Sequence, residues 1–201
     1  TKDIGDVGQS FGPVAEKQGV TLPYKTSYWD SIPDWAKDDD GDWIIGYYGM
    51  ITFITNTDLV DTAPTSWQDV LDGDYTVTIG DVSVATQAQS ALLSAAIAFG
   101  GSESDIQPGL DFFKTLAEEG RLEMGDTSVA RLEKGEIEVA VLWDYNSLGY
   151  RSQIQANNPD ANFEVSVPTD GAIQSGYCTI INAYTKRPYA AAASREYILS
   201  E

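Results

Sequence analysis

The sequence of 201 residues contains no histidine and a single cysteine, Cys178. Without histidine the chain has no Ser-His-Asp triad and no Cys-His dyad, and ordinary zinc sites are excluded as well. Cys178 lies in the apolar run 177–181, so we interpret it as a small buried hydrophobic residue. One cysteine cannot form a disulfide within the chain, and it therefore does not indicate a redox compartment.

Basic residues are also scarce. Only 12 lysines and arginines stand against 31 aspartates and glutamates, which gives a formal net charge of −19. This charge repels phosphate backbones and anionic lipid surfaces, so we expect no nucleic-acid partner. The densest acidic segment, residues 38–42, resembles part of a calcium loop but has no glutamate at the twelfth position. We predict a solvent-exposed turn there.

Long apolar runs are missing too. No stretch reaches the roughly 18 residues that a helix needs to cross a bilayer. The sequence starts at Thr1 without a basic and then apolar leader. If the protein is exported, we expect its signal to lie outside this sequence. With 42% hydrophobic residues the chain can fill a proper core, which indicates a globular protein.

The residues that are present alternate between strand and helix patterns. The predicted strands are 2–7, 75–80, 137–143, 163–167 and 177–182, and the predicted helices are 12–17, one within 64–70, one that follows Thr86 and ends at Gly100, one opened at Pro108, one from Asp126 or Thr127 to Gly135, one from about Asn146, and 188–199. This alternation predicts an α/β fold with a mainly parallel sheet.

Two segments carry more specific predictions. The run 43–59 is β-branched and aromatic, but it is too long and too often interrupted by glycine for one simple strand. We expect two extended pieces there. Thr65 and Gln68 have the spacing of a capping box, so Thr65 is the predicted helix cap.

Short motifs recur in a fixed order along the chain. They are Asn-Thr-Asp-Leu-Val at 56–60 with Pro-Thr-Ser-Trp-Gln-Asp-Val-Leu at 64–71, Gly80-Asp81 before an Ala-rich helix that ends in Gly-Gly, Leu-Glu-Lys-Gly-Glu at 132–136 before the Trp143 strand, Val-Pro-Thr-Asp-Gly at 167–171, Ile-Asn-Ala-Tyr at 181–184, and Arg-Glu-Tyr-Ile-Leu-Ser-Glu at 195–201. In order and spacing, over almost the whole chain, they resemble the type-II solute-binding proteins of bacterial ABC importers. The resemblance is to the iron, polyamine, thiamine and phosphonate group.

The resemblance implies a two-lobed α/β fold, the type-II periplasmic-binding-protein fold, in which the lobes close on a ligand in the cleft between them. It implies crossing strands at 47–55 and 167–175. Residues 1–50 and 170–201 would form lobe 1, and residues 51–169 would form lobe 2. Family members are longer, so we expect this chain to lack both ends and its first lobe to be incomplete.

The same resemblance implies a function in import. The protein would capture a small solute by hinge closure and deliver it to the membrane permease of an ABC importer, with no cofactor and no catalytic residues. We expect a monomer in the periplasm, or an extracellular lipoprotein anchored to the membrane. A small polar organic solute, zwitterionic or anionic, fits best, while polyamine and ferric iron stay possible ligands.

Ligands of open α/β sheets lie beyond the carboxyl ends of strands, at helix N-termini. This rule points to the loops at 8–11, 47–48, 83–87, 143–146 and 174–177. The candidate ligand-binding residues there are Ser10, Tyr47, Tyr48, Ser83, Thr86, Gln87, Trp143, Asp144, Tyr145, Ser175 and Tyr177. Four of them have an ordinary alternative: Ser83 or Thr86 can be a plain helix cap, and Tyr47-Tyr48 can line the cleft or pack at the hinge.

The triplet Trp143-Asp144-Tyr145 is the most informative of these sites. It places a stacking surface, a charge and a hydroxyl next to each other at a strand end. By resemblance, Trp143 matches a tryptophan that packs on the ligand of polyamine binders, but the strand around Gly176 lacks the acidic residue that those proteins carry there. Iron binders have two adjacent tyrosines near this point, of which only Tyr145 is present.

Two other functions remain open at the level of sequence. The effector domain of a transcription regulator has a similar two-lobed fold, but it would accompany a basic helix-turn-helix segment, and none is visible. An enzyme of related architecture, such as a porphobilinogen deaminase-like protein or a carboxylate-dependent hydrolase, needs a titratable pair. Asp144 is the candidate for one member of such a pair, and the sequence does not indicate a second member.

Overall fold

The computed structural model describes residues 2–200. Among these the strands are β1 (Ile4–Gly8), β2 (Trp43–Asn56), β3 (Val77–Thr78), β4 (Leu122–Glu123), β5 (Val139–Trp143), β6 (Phe163–Ser166) and β7 (Gln174–Ile181). The helices are α1 (Gly12–Lys17), α2 (Trp67–Asp72), α3 (Thr86–Ala98), α4 (Gln107–Glu118), α5 (Val129–Glu133), α6 (Asp144–Asn157) and α7 (Pro188–Ile198). Thr1 and Glu201, which end the predicted lobe segments, lie outside the described residues.

The chain forms two compact units. The described residues up to Tyr48, together with those from Ser175 onward, make the first unit, and Gly49–Gln174 makes the second. The chain passes from one unit to the other within β2 and again at the start of β7. Residues 167–173 have no strand, so the predicted crossing strand at 167–175 is wrong except for its last two residues. Pro168 and Gly171 explain this, because both disfavour a regular strand.

In the first unit, β7 lies between β1 and β2, and it pairs with β1 in antiparallel register from Ile4 opposite Ile181 to Gly8 opposite Tyr177. Cys178 is fully buried with Ala36 and Ile45, as expected for a small hydrophobic residue. Burial raises the pKa of its thiol to about 11. The thiol is therefore neutral and unreactive at physiological pH.

A buried arginine connects the elements of the first unit. Arg195 of α7 has no exposed surface, and its guanidinium donates hydrogen bonds to the carbonyl oxygens of Tyr24 (3.1 Å), Gly41 (2.7 Å) and Thr179 (2.9 Å). Burial lowers the pKa of Arg195 to about 10, so the side chain still carries its charge at pH 7. These bonds tie α7 to β7 and to the two loops that precede β2.

The second unit contains a mixed sheet. β3 is parallel to both β4 and β5, whereas β2 is antiparallel to β5 and to β6. The α/β fold class is confirmed, but the prediction of mainly parallel pairing is wrong. β2 enters the second unit directly from the first, without a crossover helix, and it can therefore run against the direction of β5.

Helices cover both faces of this sheet. Successive residues of a strand point to opposite faces. Phe53 packs edge to face on Trp67 of α2, with ring centroids 4.9 Å apart, while the next residue, Ile54, packs with Leu132 of α5 and Ile154 of α6. The part of β2 in the second unit, residues 51–56, is thus buried on both sides, which explains why it lacks the apolar and polar alternation of a half-exposed strand.

Two local predictions need correction. The run that was expected to form two extended pieces is one strand, β2, of 14 residues. The helix cap of α2 is Ser66, not Thr65: the Ser66 hydroxyl accepts a hydrogen bond from the backbone N–H of Asp69 at 3.0 Å. The Asp69 carboxylate in turn accepts from the backbone N–H of Thr65 at 2.8 Å. Ser66 and Asp69 therefore have the spacing of a capping box, one residue later than predicted, but the return hydrogen bond goes to Thr65, the residue before the cap.

Candidate functional site

The carboxyl ends of three parallel strands meet at one edge of the second unit. The strand order there is β5-β3-β4. The chain leaves β3 through Gly80 and Asp81, β4 through residues 124–128, and β5 directly into α6 at Asp144. Three segments that are far apart in sequence therefore come together at the edge where open α/β sheets bind their ligands.

A cavity of about 370 Å³ lies at this edge. Polar and apolar side chains both line it, and its lining residues are Gly80, Asp81, Val84, Ala85, Gln87, Asp126, Thr127 and Leu142. Gln87, one of the predicted ligand-binding residues, lines the cavity and is held in place because its side-chain amide donates to the carbonyl of Val141. Asp126 and Thr127 supply a carboxylate and a hydroxyl from the opposite loop.

The loop between β3 and α3 is organised by Asp81. Its Oδ1 accepts from the backbone N–H of Ser83 at 2.8 Å and from the Ser83 hydroxyl at 2.7 Å, and these hydrogen bonds lower the pKa of Asp81. Ser83 thus holds the loop and does not cap the helix. Among the described residues α3 has no side-chain cap, and Thr86 is its first residue. The backbone N–H groups of that first turn favour an anionic group nearby.

Arg131 of α5 holds the opposite wall of the cavity. Its guanidinium donates to the backbone carbonyl of Asp126 and to the Glu123 carboxylate, both at 2.7 Å, and to Glu136 at 3.3 Å. The hydrogen bond with Glu123 is the main reason why the pKa of Arg131 is raised. One side chain therefore fixes the loop that presents the Asp126 carboxylate.

The triplet at the end of β5 is packed closely against β2. Asp144 Oδ1 accepts from the backbone N–H of Met50 at 3.2 Å and of Tyr145 at 2.8 Å. Trp143 is only 2% exposed, and its ring stacks with that of Tyr145 at 6.5 Å. Gly49 permits this approach, since a Cβ there would lie 2.7 Å from both Asp144 and Tyr145. Tyr145 is the exposed member of the triplet.

The first unit brings another group of predicted residues together. Tyr47 and Tyr177 stack with ring centroids 5.1 Å apart and an angle of 9° between the rings. The Tyr47 hydroxyl donates to Asp6 at 2.8 Å, and the Gln9 side chain accepts from the backbone N–H of Gly176 at 3.0 Å. Ser175, next to Gly176, is half-buried. Ser10 is exposed in the turn of 3-10 helix that follows β1.

The remaining predicted residue, Tyr48, forms an aromatic surface with Trp35. Their rings meet edge to face at 5.9 Å, and each side chain is 56% exposed. Both line a cavity of about 520 Å³ within the first unit. Trp35 is thus largely open to solvent.

Sequence reasoning missed Asp126 and Thr127 as candidate ligand contacts, because it used them only as a possible helix start. In the structure the cap of α5 is Ser128, whose hydroxyl accepts from the backbone N–H of Arg131. The available signal was position: Asp126 follows β4 much as Asp81 follows β3. The short, partly polar sequence of β4 hid that relation.

Within residues 2–200, no group of three or more Asp, Glu or Cys side chains is arranged to hold a metal ion. None of the helices in that range is long and apolar enough to cross a membrane. In the acidic segment 38–42, the Asp38 carboxylate accepts from the backbone N–H groups of Asp40 and Asp42, which confirms the predicted turn.

An α/β chain in two units, with a polar cavity at the carboxyl edge of parallel strands, has the features of a protein that binds a small ligand. The chain belongs to the bacterial extracellular solute-binding proteins, whose family model matches residues 1–201. This confirms the resemblance seen in the sequence. No curated protein sequence matches the chain.

Solved structures of binding proteins share the fold. The periplasmic binding protein AfuA from Actinobacillus pleuropneumoniae, with fructose-6-phosphate bound, has a TM-score of 0.79 at 20% identity, over 100% of this chain and 64% of AfuA. Iron-bound HitA from Pseudomonas aeruginosa has a TM-score of 0.72 at 18% identity, over 99% of this chain and 64% of HitA. The spermidine/putrescine ABC transporter substrate-binding protein PotD from Streptococcus pneumoniae has a TM-score of 0.71 at 19% identity, over 100% of this chain and 63% of PotD. The chain thus spans less than two thirds of the length of these relatives.

Proposed function

We propose that this protein is the extracytoplasmic solute-binding component of an ABC importer, which captures a small polar solute and passes it unchanged to a membrane permease. The observation that carries the proposal is the family match over residues 1–201. Similar structures include a periplasmic binding protein with fructose-6-phosphate bound, an iron-bound protein and a spermidine/putrescine substrate-binding protein. The net charge of −19 argues against a nucleic-acid partner, and we propose a monomer, with or without a lipid anchor.

The cavity of the second unit supports a zwitterionic solute. The uncapped first turn of α3 suits a carboxylate or phosphate, because its backbone N–H groups and helix dipole favour negative charge. The Asp81 and Asp126 carboxylates on the same cavity suit an ammonium group. One small molecule that carries both charges would satisfy both walls.

A thermal-shift screen tests the binding function. The protein is heated with amino acids, phosphonates, sugar phosphates, polyamines, thiamine and ferric iron in turn. A true ligand at 100 times its Kd stabilises the folded state by about 2.7 kcal/mol, which raises the melting temperature. Each hit is then recovered and identified by mass spectrometry. Recovery of unchanged ligand supports a binding protein, and conversion to product would contradict the proposal in favour of an enzyme.

A matched pair of variants tests the site. Asp126→Asn removes the carboxylate that lines the cavity, and Asp160→Asn removes the same charge from an exposed turn of the same unit. For a zwitterionic ligand we expect Asp126→Asn to weaken binding about tenfold or more, because a charge-assisted hydrogen bond is worth about 1.5–3 kcal/mol. Asp160→Asn should leave the affinity unchanged. Equal effects of the two would show that the cavity is not the site.

A second pair tests the predicted triplet. Tyr145→Leu removes the exposed ring beside Trp143, and Tyr197→Leu removes a ring of α7 that is 82% exposed. The proposal expects weaker binding only for Tyr145→Leu, as measured by titration calorimetry. Unchanged affinity in both variants would remove the triplet from the proposed site.

A further inference from the structure

A hydrogen-bond network joins the strands of the second unit to the loop that presents Asp126. Its centre is Arg131 of α5. The guanidinium Nη2 donates to the Glu123 carboxylate of β4 and Nη1 to the backbone carbonyl oxygen of Asp126, both at 2.7 Å. Its Nε donates to the Glu136 carboxylate, beyond α5, at 3.3 Å. One planar group with donors in a rigid fork thus holds three segments of the chain in a fixed geometry.

The Glu123 carboxylate extends this network to β3. Its Oε1 accepts from Arg131, and its Oε2 accepts from the hydroxyl of Thr78 at 3.0 Å. Thr78 is buried and lies two residues before Gly80, where the chain enters the loop on the other side of the cavity. The position of loop 124–128 is therefore set relative to the loop that follows β3.

Arg131 contacts Asp126 at the backbone and not at the carboxylate. The hydrogen bond goes to the carbonyl oxygen, whereas the Asp126 side chain lines the cavity. The positive charge of the guanidinium is balanced by the carboxylates of Glu123 and Glu136. Arg131 therefore fixes the backbone of Asp126 without neutralising its carboxylate, and that negative charge stays available to a ligand.

Gly125 lies where the network passes the loop. A Cβ at this position would lie 2.9 Å from Glu123 Oε1 and 3.2 Å from Arg131 Nη1, so the network occupies the space that a side chain would need. Glycine also has more backbone freedom than any other residue. Without the guanidinium, the loop would reach further conformations in which the Asp126 carboxylate is withdrawn from the cavity.

We infer that Arg131 is a positioning residue for solute binding. It acts through Asp126 and not by contact with the ligand, because it holds the carbonyl of the residue whose carboxylate binds the ammonium group. A loop that is already ordered costs less to immobilise when the ligand arrives. The inference rests on the proposed function, and it identifies what sets the affinity for the cationic part of the solute.

Methylammonium is a minimal probe of the ammonium site, because it makes no assumption about the rest of the solute. NMR titration of the nitrogen-15-labelled full chain measures its Kd. We expect Arg131→Met and Arg131→Lys each to weaken binding about fivefold, since lysine keeps the charge but lacks the fork of donors. Arg151→Met, on α6 of the same unit, makes the same change of charge and should leave the Kd unchanged.

A double-variant cycle separates a positioning role from a merely structural one. If Arg131 acts through Asp126, then Arg131→Met should change the Kd little in a protein that already carries Asp126→Asn. A general loss of structure would instead weaken binding by the same factor with or without the Asp126 carboxylate. Circular dichroism checks that each variant is folded.

A spin label on Met124→Cys reports on the loop directly. Met124 is 50% exposed, whereas the native thiol of Cys178 is buried, so the label reacts at the introduced cysteine. Electron paramagnetic resonance should show a more mobile label when Arg131→Met or Arg131→Lys is added. Adding Arg151→Met should leave the mobility as it is.

Four results would overturn the inference. They are an unchanged Kd in Arg131→Met, an unchanged Kd in Arg131→Lys, effects that add in the cycle with Asp126→Asn, and an unchanged mobility of the label. If methylammonium does not bind the unmodified protein while the thermal-shift screen yields a ligand, the inference fails and the proposed function stands. If no compound binds in either experiment, both fail.

Discussion

Arg195 places a charged side chain where no water reaches it, and its donors are satisfied by backbone carbonyl oxygens. Arg195→Met would leave those carbonyls without partners inside the first unit. We expect a loss of about 3 kcal/mol or more in the free energy of unfolding, since each unsatisfied buried group costs about 1–3 kcal/mol. Urea denaturation measures the change.

Arg187→Met is the control for this prediction. Arg187 is largely exposed and pairs with Asp3 at the surface, where an ion pair is worth about 0–1 kcal/mol. If the two variants are equally stable, the buried hydrogen bonds of Arg195 contribute no more than a surface pair, which would contradict the structure.

The neighbouring residue, Glu196, gives a pH dependence. Its carboxylate accepts from the hydroxyl and the backbone N–H of Ser27 and from the hydroxyl of Tyr24, and these hydrogen bonds lower the pKa of Glu196 from its ordinary value of 4.5. A depressed carboxyl pKa stabilises the fold above the unfolded-state pKa, and this contribution is lost as pH falls through the folded-state pKa.

Glu196→Gln should therefore be less stable than the unmodified protein at pH 7, and the difference should shrink steadily below pH 4.5. Thermal unfolding of both proteins over this pH range measures it. A difference that is constant with pH, or that grows in acid, would show that the carboxylate is not stabilised in the folded state.

At the scale of single elements, α2 depends on its cap. Ser66 accepts from the backbone N–H of Asp69, so Ser66→Ala should reduce the free energy of unfolding by about 1 kcal/mol. Ser152→Ala, at an exposed position inside α6, removes a hydroxyl that caps nothing and should be neutral or slightly stabilising. If Thr65→Ala lowers the free energy of unfolding more than Ser66→Ala does, then Thr65 is the helix cap, as the sequence had predicted.

The sequence predicted most elements because their signals are local. Pro13, Pro108 and Pro188 each lie in the first turn of a helix, and Gly100 has the positive φ of 85° that ends α3. It misplaced the α2 cap by one residue, because Ser and Thr are adjacent at 65 and 66 and both have cap chemistry. Which hydroxyl accepts depends on where the chain enters the helix.

The length of β2 was not predictable in the same way. Gly46 and Gly49 suggested an interruption, yet the strand continues through both. Gly49 is required by tertiary structure, since Asp144 and Tyr145 occupy the space of a side chain there. The sequence shows the glycine, but it does not show that Asp144, 95 positions later, makes a glycine necessary there. Close contacts between distant residues are the part of the site that sequence patterns do not contain.

At the scale of the whole molecule, the net charge of −19 disfavours the folded state through self-repulsion. Raising the salt concentration from about 10 mM to about 150 mM shortens the Debye length from about 30 Å to about 8 Å and should raise the melting temperature. The variant Asp39→Asn/Asp40→Asn, in the exposed turn before β2, should be more stable than the unmodified protein at low salt. That advantage should disappear at high salt, as calorimetry would show.

A melting temperature that falls with added salt would contradict this account. It would mean that attractive pairs such as Arg131 with Glu123 and Glu136 outweigh the repulsion among the remaining carboxylates.

The strand directions of the mixed sheet are also a property of the whole molecule. The sequence indicated which segments are strands, but the direction in which β2 meets β5 depends on the path of the chain between the two units.

The meeting of two loops and the start of α6 at one edge of the β5-β3-β4 sheet has a consequence for how such a protein changes over evolutionary time. The two loops follow strands that are buried or half-buried, so substitutions at 80–87 and 124–128 can alter the chemistry of the cavity while the scaffold stays as it is. Selectivity and foldability are thereby inherited as separate traits. A library randomised only at the loops should yield many folded proteins and new ligand preferences, whereas the same number of changes within the strands should yield few of either.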